Sequence, residues 1–273
     1  MMYIFLFSMF SLFSVCYTYD QSVAEIAIRL AQASYCLHSN SQWNCATCDE
    51  SNKLEYIIDE HNEVVLQGYN SNTHTLFVSF RGSVNIPNWI DNIQINKISP
   101  YSDKDVQVEA GFYKAYNYVK ADIMNNLQKL TLKYSTNNLF ITGHSLGAAM
   151  ATILAYDILT LSHNYSITHL ITFGSPRVGN QAFVENFRLY SVDSYRITHY
   201  YDIVPHVPEE MFGYLHISNE IWYDEPNISY TVCNDTDNEE DSTCSNSCAP
   251  IHCTSTSDHL RYMNISMGTS GTC

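Results

Sequence analysis

The sequence predicts an α/β fold, a sheet with helices packed on both faces. Three observations carry that expectation. Strand-like and helix-like segments alternate between residues 63 and 201. One strand-to-helix junction reads Gly143-His144-Ser145-Leu146-Gly147, a tight turn with glycine two positions either side of a serine. Apolar residues form 45% of the 273, enough to bury a full core and to exclude global disorder.

The elements follow in order. Ser22 to Leu37 carries Val23, Ile26, Ala27, Leu30 and Ala31 at helical spacing. Glu63 to Tyr69 and Thr75 to Phe80 are β-type runs flanking Asn70-Ser71-Asn72-Thr73, a hairpin signal. Phe112 to Leu130 reads as a long helix, Asn138 to Thr142 as a short strand and Leu146 to Leu161 as an alanine-rich helix. His169 to Phe173 is a strand, Gln181 to Phe187 a helix and Tyr195 to Tyr201 another strand. Regular patterning fades after about residue 225. Asn234 to Asp241 lacks the glycine and spacing of a calcium-binding EF-hand and reads as a solvated acidic loop.

The ends carry a different signature. Met1 to Cys16 is uncharged, and the first charged side chain is Asp20. The expectation is a secretory signal over residues 1–18, followed by a single domain over 19–273, with an uncleaved anchor as the alternative. Small residues at Ser14 and Cys16, or at Cys16 and Thr18, offer cleavage points. Beyond Cys16, eight cysteines fall in two clusters, at 36–48 and 233–273. An even number at the less regular ends of a domain predicts disulfides in an oxidising compartment. Cys45-Ala-Thr-Cys48 lacks a second ligand pair for zinc and the strand-then-helix context of a redox motif, so it too is expected to be a disulfide. Sequons at Asn164, Asn227, Asn234 and Asn264 predict a glycosylated surface in such a compartment. Localisation is therefore expected to be secreted or lumenal within the secretory pathway.

Charge narrows the partners. Thirteen Lys and Arg against 28 Asp and Glu give −15, which leaves no basic face for nucleic acid or for anionic lipid. No later stretch reaches 18 consecutive apolar residues, so no stable membrane span is expected.

The serine turn is where chemistry points. Glycines at 143 and 147 let the chain turn tightly, lifting the Ser145 hydroxyl above the carboxyl edge of the sheet. The following helix aims its N-terminus at developing negative charge, and the Leu146 N–H is placed to donate to an oxyanion. A serine needs a base, and the chain order in this architecture is Ser, then Asp or Glu, then His. Asp202 follows the Tyr195–Tyr201 strand at its carboxyl end; Asp193 and Asp224 are less well placed. His206, His216, His252 and His259 come after it, and position alone leaves the base open between His259 and the others. Upstream, the Thr75–Phe80 strand runs into Arg81-Gly82-Ser83, so Ser83 is a candidate second oxyanion donor. Ile86, Trp89, Ile90 and Ile93 then fall on one helical face, either a lid and acyl-chain wall or a core wall.

These blocks together resemble the class 3 (fungal-type) lipase family. The resemblance runs from about Ala24 to Tyr262. Its carriers are Phe80-Arg81-Gly82-Ser83, Asn88-Trp89, Gly111-Phe112, Gly143-His144-Ser145-Leu146-Gly147, Phe173-Gly174-Ser175-Pro176-Arg177-Val178-Gly179-Asn180, Asp202-Ile203-Val204-Pro205 and Asp258-His259. The resemblance implies an α/β-hydrolase fold with a mostly parallel central sheet. It also implies Ser145 as nucleophile, Asp202 as triad acid, His259 as base, and Ser83 with Leu146 as the oxyanion hole. Three positions depart from the family pattern. Ala148 replaces a further glycine, Glu109 stands near a usual histidine, and Asn92 stands where an aspartate often orients the oxyanion serine.

The function expected is a secreted serine hydrolase that cleaves carboxylic esters of lipids, as a triacylglycerol lipase does, through an acyl-enzyme. It would need no metal or cofactor and would work as a monomer, its partner an ester substrate at a lipid–water interface. A phospholipase or feruloyl-type esterase on the same fold is the alternative, and a catalytically silent lipid-binding protein is the alternative from another class.

Overall fold

The computed structural model describes residues 19–273 except 40, 94, 162, 163, 218, 236–238, 250 and 270–272. The expected signal at residues 1–18 lies outside the described residues.

Eight strands form the main sheet: β1 (Asn52–Glu60), β2 (Glu63–Asn70), β3 (Thr75–Phe80), β4 (Asn138–His144), β5 (Ser166–Phe173), β6 (Ser194–His199), β7 (Glu220–Tyr223) and β8 (Tyr230–Val232). Their spatial order is their chain order. β3 to β7 pair in parallel, and antiparallel partners extend the sheet at both edges. The β2–β3 hairpin turns at 71–74 as the sequence predicts. β1 was not legible, because its burial does not alternate cleanly along the strand. β7 and β8 lie where regular patterning gives out.

Side chains alternate between two cores. Val64, Leu66, Phe77, Phe140 and Ile171 face α1 (Gln21–Cys36). Val65, Val78, Leu139, Ile141 and Leu170 face three helices on the other side: α3 (Ala110–Tyr134), α4 (Leu146–Thr160) and α5 (Gln181–Arg188). Neighbouring residues on one strand thus serve opposite cores, as a period of two requires. Two short helices complete the frame, α2 (Ile86–Asp91) and α6 (Thr256–His259).

Helix ends follow local chemistry. Asp20 caps α1 by accepting from the Ser22 N–H. Glu109 caps α3, its Oε2 accepting from the Phe112 N–H at 2.6 Å. That is the role of the carboxylate that departs from the family pattern. Ala148 is fully buried on α4.

All eight cysteines beyond Cys16 are paired: Cys36–Cys273, Cys45–Cys48, Cys233–Cys244 and Cys248–Cys253. One bridge joins the two sequence clusters and three are local. These bonds fit an oxidising compartment. No helix among the described residues is long and apolar enough to cross a membrane.

Two surface expectations are corrected. The 234–241 stretch is not merely a solvated loop. Asp235 Oδ2 accepts from the buried Arg196 at 3.2 Å, and Glu240 takes both Nε and Nη2 of buried Arg177 at 2.7 Å. Arginines from the sheet face and from the loop after β5 thus draw Asp235 and Glu240 inward. Asn227 is not a surface sequon: it is 3% exposed, and its amide nitrogen donates to His199 Nε2 at 2.7 Å. Asn164, Asn234 and Asn264 are exposed.

Candidate active site

β4 ends at His144, and α4 begins one residue later, so Ser145 must reverse the chain alone. It does so at φ 60°, ψ −128°, a strained conformation for a residue with a Cβ. The Ser145 N–H donates to the Phe173 carbonyl at 3.0 Å, which ties the turn to the end of β5. A Cβ on Gly143 would sit 2.3 Å from the Gly147 carbonyl oxygen, and one on Gly147 would sit 2.3 Å from the Phe80 oxygen. Both glycines are there because the backbone passes too close for any side chain. The Leu146 N–H, at the first position of α4, has no intrahelical acceptor by geometry.

Asp202 lies just past β6 and is 1% exposed. Its Oδ1 accepts from the Val204 N–H at 2.8 Å. Its Oδ2 accepts from His259 Nδ1–H at 2.8 Å and from the Tyr262 hydroxyl. His259 closes the four-residue α6 and is fully buried. Its Nε2 has no hydrogen-bond partner among the described residues, and neither does the Ser145 hydroxyl. Gly174 packs against the Asp202–His259 pair at φ +52°. A Cβ there would come within 2.9 Å of both Asp202 Oδ2 and His259 Cε1. Burial, then the charge of Asp202, pushes the Tyr262 phenol far up, so it stays a neutral donor.

The other histidines are occupied elsewhere. His216 Nε2 donates to the Pro205 carbonyl at 2.7 Å, and burial holds it neutral. His206 lies against the Cys248–Cys253 bridge, its value pushed down to about 4 by burial and then by Arg177. His252 is exposed. Asp193 pairs with His169 at 2.7 Å, and Asp224 closes a turn by accepting from Ile228 and Ser229.

On the opposite side, Gly82 presses against the turn: a Cβ there would lie 2.8 Å from Ser145 Cβ. Ser83 is next in sequence. Asn92 spends its amide on the Asn88 carbonyl at 2.5 Å, and among the described residues it makes no hydrogen bond to Ser83. α2 starts on Asn85, which accepts from the Asn88 N–H, and has Pro87 in its first turn. Ile86 is buried and Trp89, Ile90 and Ile93 are half-buried; α2 ends at Asp91, so Ile93 lies beyond the helix rather than on its face as expected. The Trp89 ring stacks on Phe112 at 6.1 Å between centroids.

Sequence reading missed Tyr262 and Tyr35. Tyr35 lies 109 residues from its partner His144, bonded at 2.7 Å. Nothing in local pattern marks either tyrosine.

The model of the family described as Lipase (class 3) matches residues 77–212. The chain is 32% identical over 249 residues to the lipase of Rhizomucor miehei, covering 88% of this chain and 67% of that one. It is 31% identical over 193 residues to the secreted mono- and diacylglycerol lipase A of Penicillium cyclopium, covering 69% and 62% respectively. The chain thus spans about two thirds of the length of these curated relatives. Among solved structures, a triacylglycerol lipase described as having a serine protease triad at its catalytic centre superposes with TM-score 0.82 at 30% identity, covering 92% of this chain and 97% of that one.

Proposed function

Because the chain belongs to the class 3 lipase family, we propose that it hydrolyses acylglycerol esters through a covalent acyl-serine. One observation carries the reading. Ser145 Oγ and His259 Nε2 are both buried and without a hydrogen-bond partner among the described residues, while Nδ1 of the same imidazole is fixed on Asp202. That is a base held in one tautomer with its accepting nitrogen left for the nucleophile.

The steps follow. Ser145 Oγ attacks the ester carbonyl carbon as His259 Nε2 takes its proton. The carbonyl oxygen becomes an oxyanion facing the Leu146 N–H and Ser83. Asp202 stabilises the imidazolium, and its bonds from Val204 and Tyr262 keep it from rotating away. The tetrahedral species collapses, and His259 returns the proton to the leaving alcohol. Water then repeats the sequence on the acyl-enzyme, with His259 as base, and releases the fatty acid.

Ile86, Trp89, Ile90 and Ile93 serve as the acyl-side cover. The domain is secreted, its leader being residues 1–18, and it acts on acylglycerol at a lipid–water interface as a monomer. The names of the relatives support acylglycerol over a phospholipid or feruloyl ester. The test is a hydrolysis panel of triacylglycerol, phospholipid, short-chain aryl ester and feruloyl ester, run on the wild type and on Ser145→Ala. Acylglycerol should be turned over fastest, and the variant should lose on the order of 10⁴-fold in kcat. Retention of a tenth of the activity would place the nucleophile elsewhere.

A further inference from the structure

His144 sits inside the serine turn yet points away from the reacting hydroxyl. It is fully buried, and both ring nitrogens are engaged. Nε2 lies 2.9 Å from the main-chain carbonyl oxygen of His259, and Nδ1 lies 2.7 Å from the Tyr35 hydroxyl. A carbonyl can only accept, so Nε2 carries the hydrogen. In a neutral ring Nδ1 must then accept, so Tyr35 donates. Burial, then the neighbouring His259, holds His144 well below the ordinary histidine range, in keeping with a neutral ring.

The ring also stacks on His259, with centroids 4.4 Å apart and planes 29° from parallel. Tyr262, the phenol that donates to Asp202, packs its edge against the same ring at 5.7 Å. Tyr35 in turn reaches the oxyanion side. A Cβ on Gly82 would lie 2.3 Å from its hydroxyl oxygen. One neutral imidazole therefore touches the base by its ring and by its carbonyl, and through Tyr35 it touches the residue before Ser83.

We infer that His144 and Tyr35 are positioning residues, a buried relay that sets the imidazole of His259 relative to the oxyanion loop. The inference rests on the reading of His259 as base and Ser83 as oxyanion donor. α6 has only four residues, too few to fix a side chain by itself. A neutral ring is required because a second cation stacked on His259 would oppose the imidazolium formed in each turnover. Neither residue exchanges a proton with substrate.

Asparagine and glutamine separate the two nitrogens of His144. His144→Gln keeps a donor near the Nε2 position, and His144→Asn keeps a polar atom only near Nδ1. With a soluble short-chain ester, His144→Asn should lower kcat by about 30-fold with KM changed less than about twofold, the pattern of lost positioning rather than lost binding. His144→Gln should recover about tenfold of that, and Tyr35→Phe should lower kcat by about fivefold. Thermal unfolding of each variant checks the fold. Should His144→Asn simply unfold, the comparison of Tyr35→Phe with His144→Gln carries the test. Equal kcat for wild type, His144→Gln and Tyr35→Phe would overturn the relay, as would losses appearing in KM alone. Labelling of wild-type Ser145 by a fluorophosphonate is run alongside. Its absence would overturn the reading of the site itself, whereas labelling with unchanged variant kinetics would overturn only the relay.

Discussion

The two sides of Ser145 are held by different forces. On the acid–base side, Asp202 accepts three hydrogen bonds, and the segment carrying His259 is tied down from several directions. Asn227 donates to the Arg261 carbonyl and accepts from the Met263 N–H, and His199 reaches the Asp258 carbonyl. On the acyl side, the hydrogen bonds of residues 83–95 among those described all run within the segment itself. What holds α2 to the body is apolar contact: buried Ile86 and the Trp89–Phe112 stack. Val84, just before it, is 65% exposed. Directional bonds fix a geometry, whereas apolar contact can be exchanged for any other apolar surface. Proton transfer needs the first kind of hold, and a cover that yields to lipid needs the second.

The sharpest way to break this contrast is at Gly174. Gly174→Ala places a methyl against Asp202, His259 and Tyr262 at a positive φ, so the bonded side must give way. Loss of about 100-fold in kcat is expected on soluble and dispersed esters alike. Near-normal turnover would mean that the acid–base side is as compliant as the other.

Next in size is the ion pair that braces the chain beyond Asp202. Burial pushes Glu240 up, but His216, Arg177 and Arg196 together outweigh it and hold the carboxyl below the usual range, with Arg177 bonded to it directly. A depressed carboxylate contributes stability above its unfolded value, near 4.5, and that contribution fades as pH falls below it. Glu240→Gln should therefore lower stability by about 3 kcal/mol at pH 7. The gap from wild type should narrow steadily below about pH 4.5 in urea melts. A gap independent of pH would mean that packing, not charge, holds this segment.

Trp89→Ser tests the acyl side. If apolar contact alone seats α2, the variant should blunt the rise in rate as a long-chain ester passes its solubility limit, by about fivefold. Hydrolysis of a soluble short-chain ester should change less than about twofold. Equal effects on both would make the segment a fixed wall, and the protein an esterase on a lipase frame. Smallest is Asn92→Asp. It forfeits the donor to Asn88 and sets a negative charge at the C-terminal end of α2, so kcat should move by less than about threefold. A larger gain would reveal a hydrogen bond to Ser83 formed only when the site is occupied.

The same division explains what was legible in the sequence. Ser145, Gly143 and Gly147 are a local device, since strand, turn and helix are contiguous, so the motif can be read directly. Asp202 is nearly as plain, because it follows a strong strand on the edge where such sheets keep their chemistry. His259 needed the family resemblance. Its place is set by Asn227, His199 and His144, none of them near it in sequence, and a four-residue helix leaves no periodic trace. Tyr262 and Tyr35 act through space alone. Residues 234–241 looked solvated because composition registers charge but not the two buried arginines that face it. Cys36–Cys273 was one connectivity among many that eight cysteines allow.

That last bridge joins cysteines 237 positions apart and closes the chain between them into a covalent ring. A protease that cuts any single peptide bond between the two cysteines leaves one particle, not two fragments. Exposed loops are where such cuts concentrate, and here each one linearises the ring without releasing either piece. The two halves of the site, Ser145 on one fragment and His259 on the other after a cut between the exposed Ile228 and Ser229, would stay within reach of each other. Nicked molecules should therefore run as one band until a reductant is added, and keep turning over ester before it is.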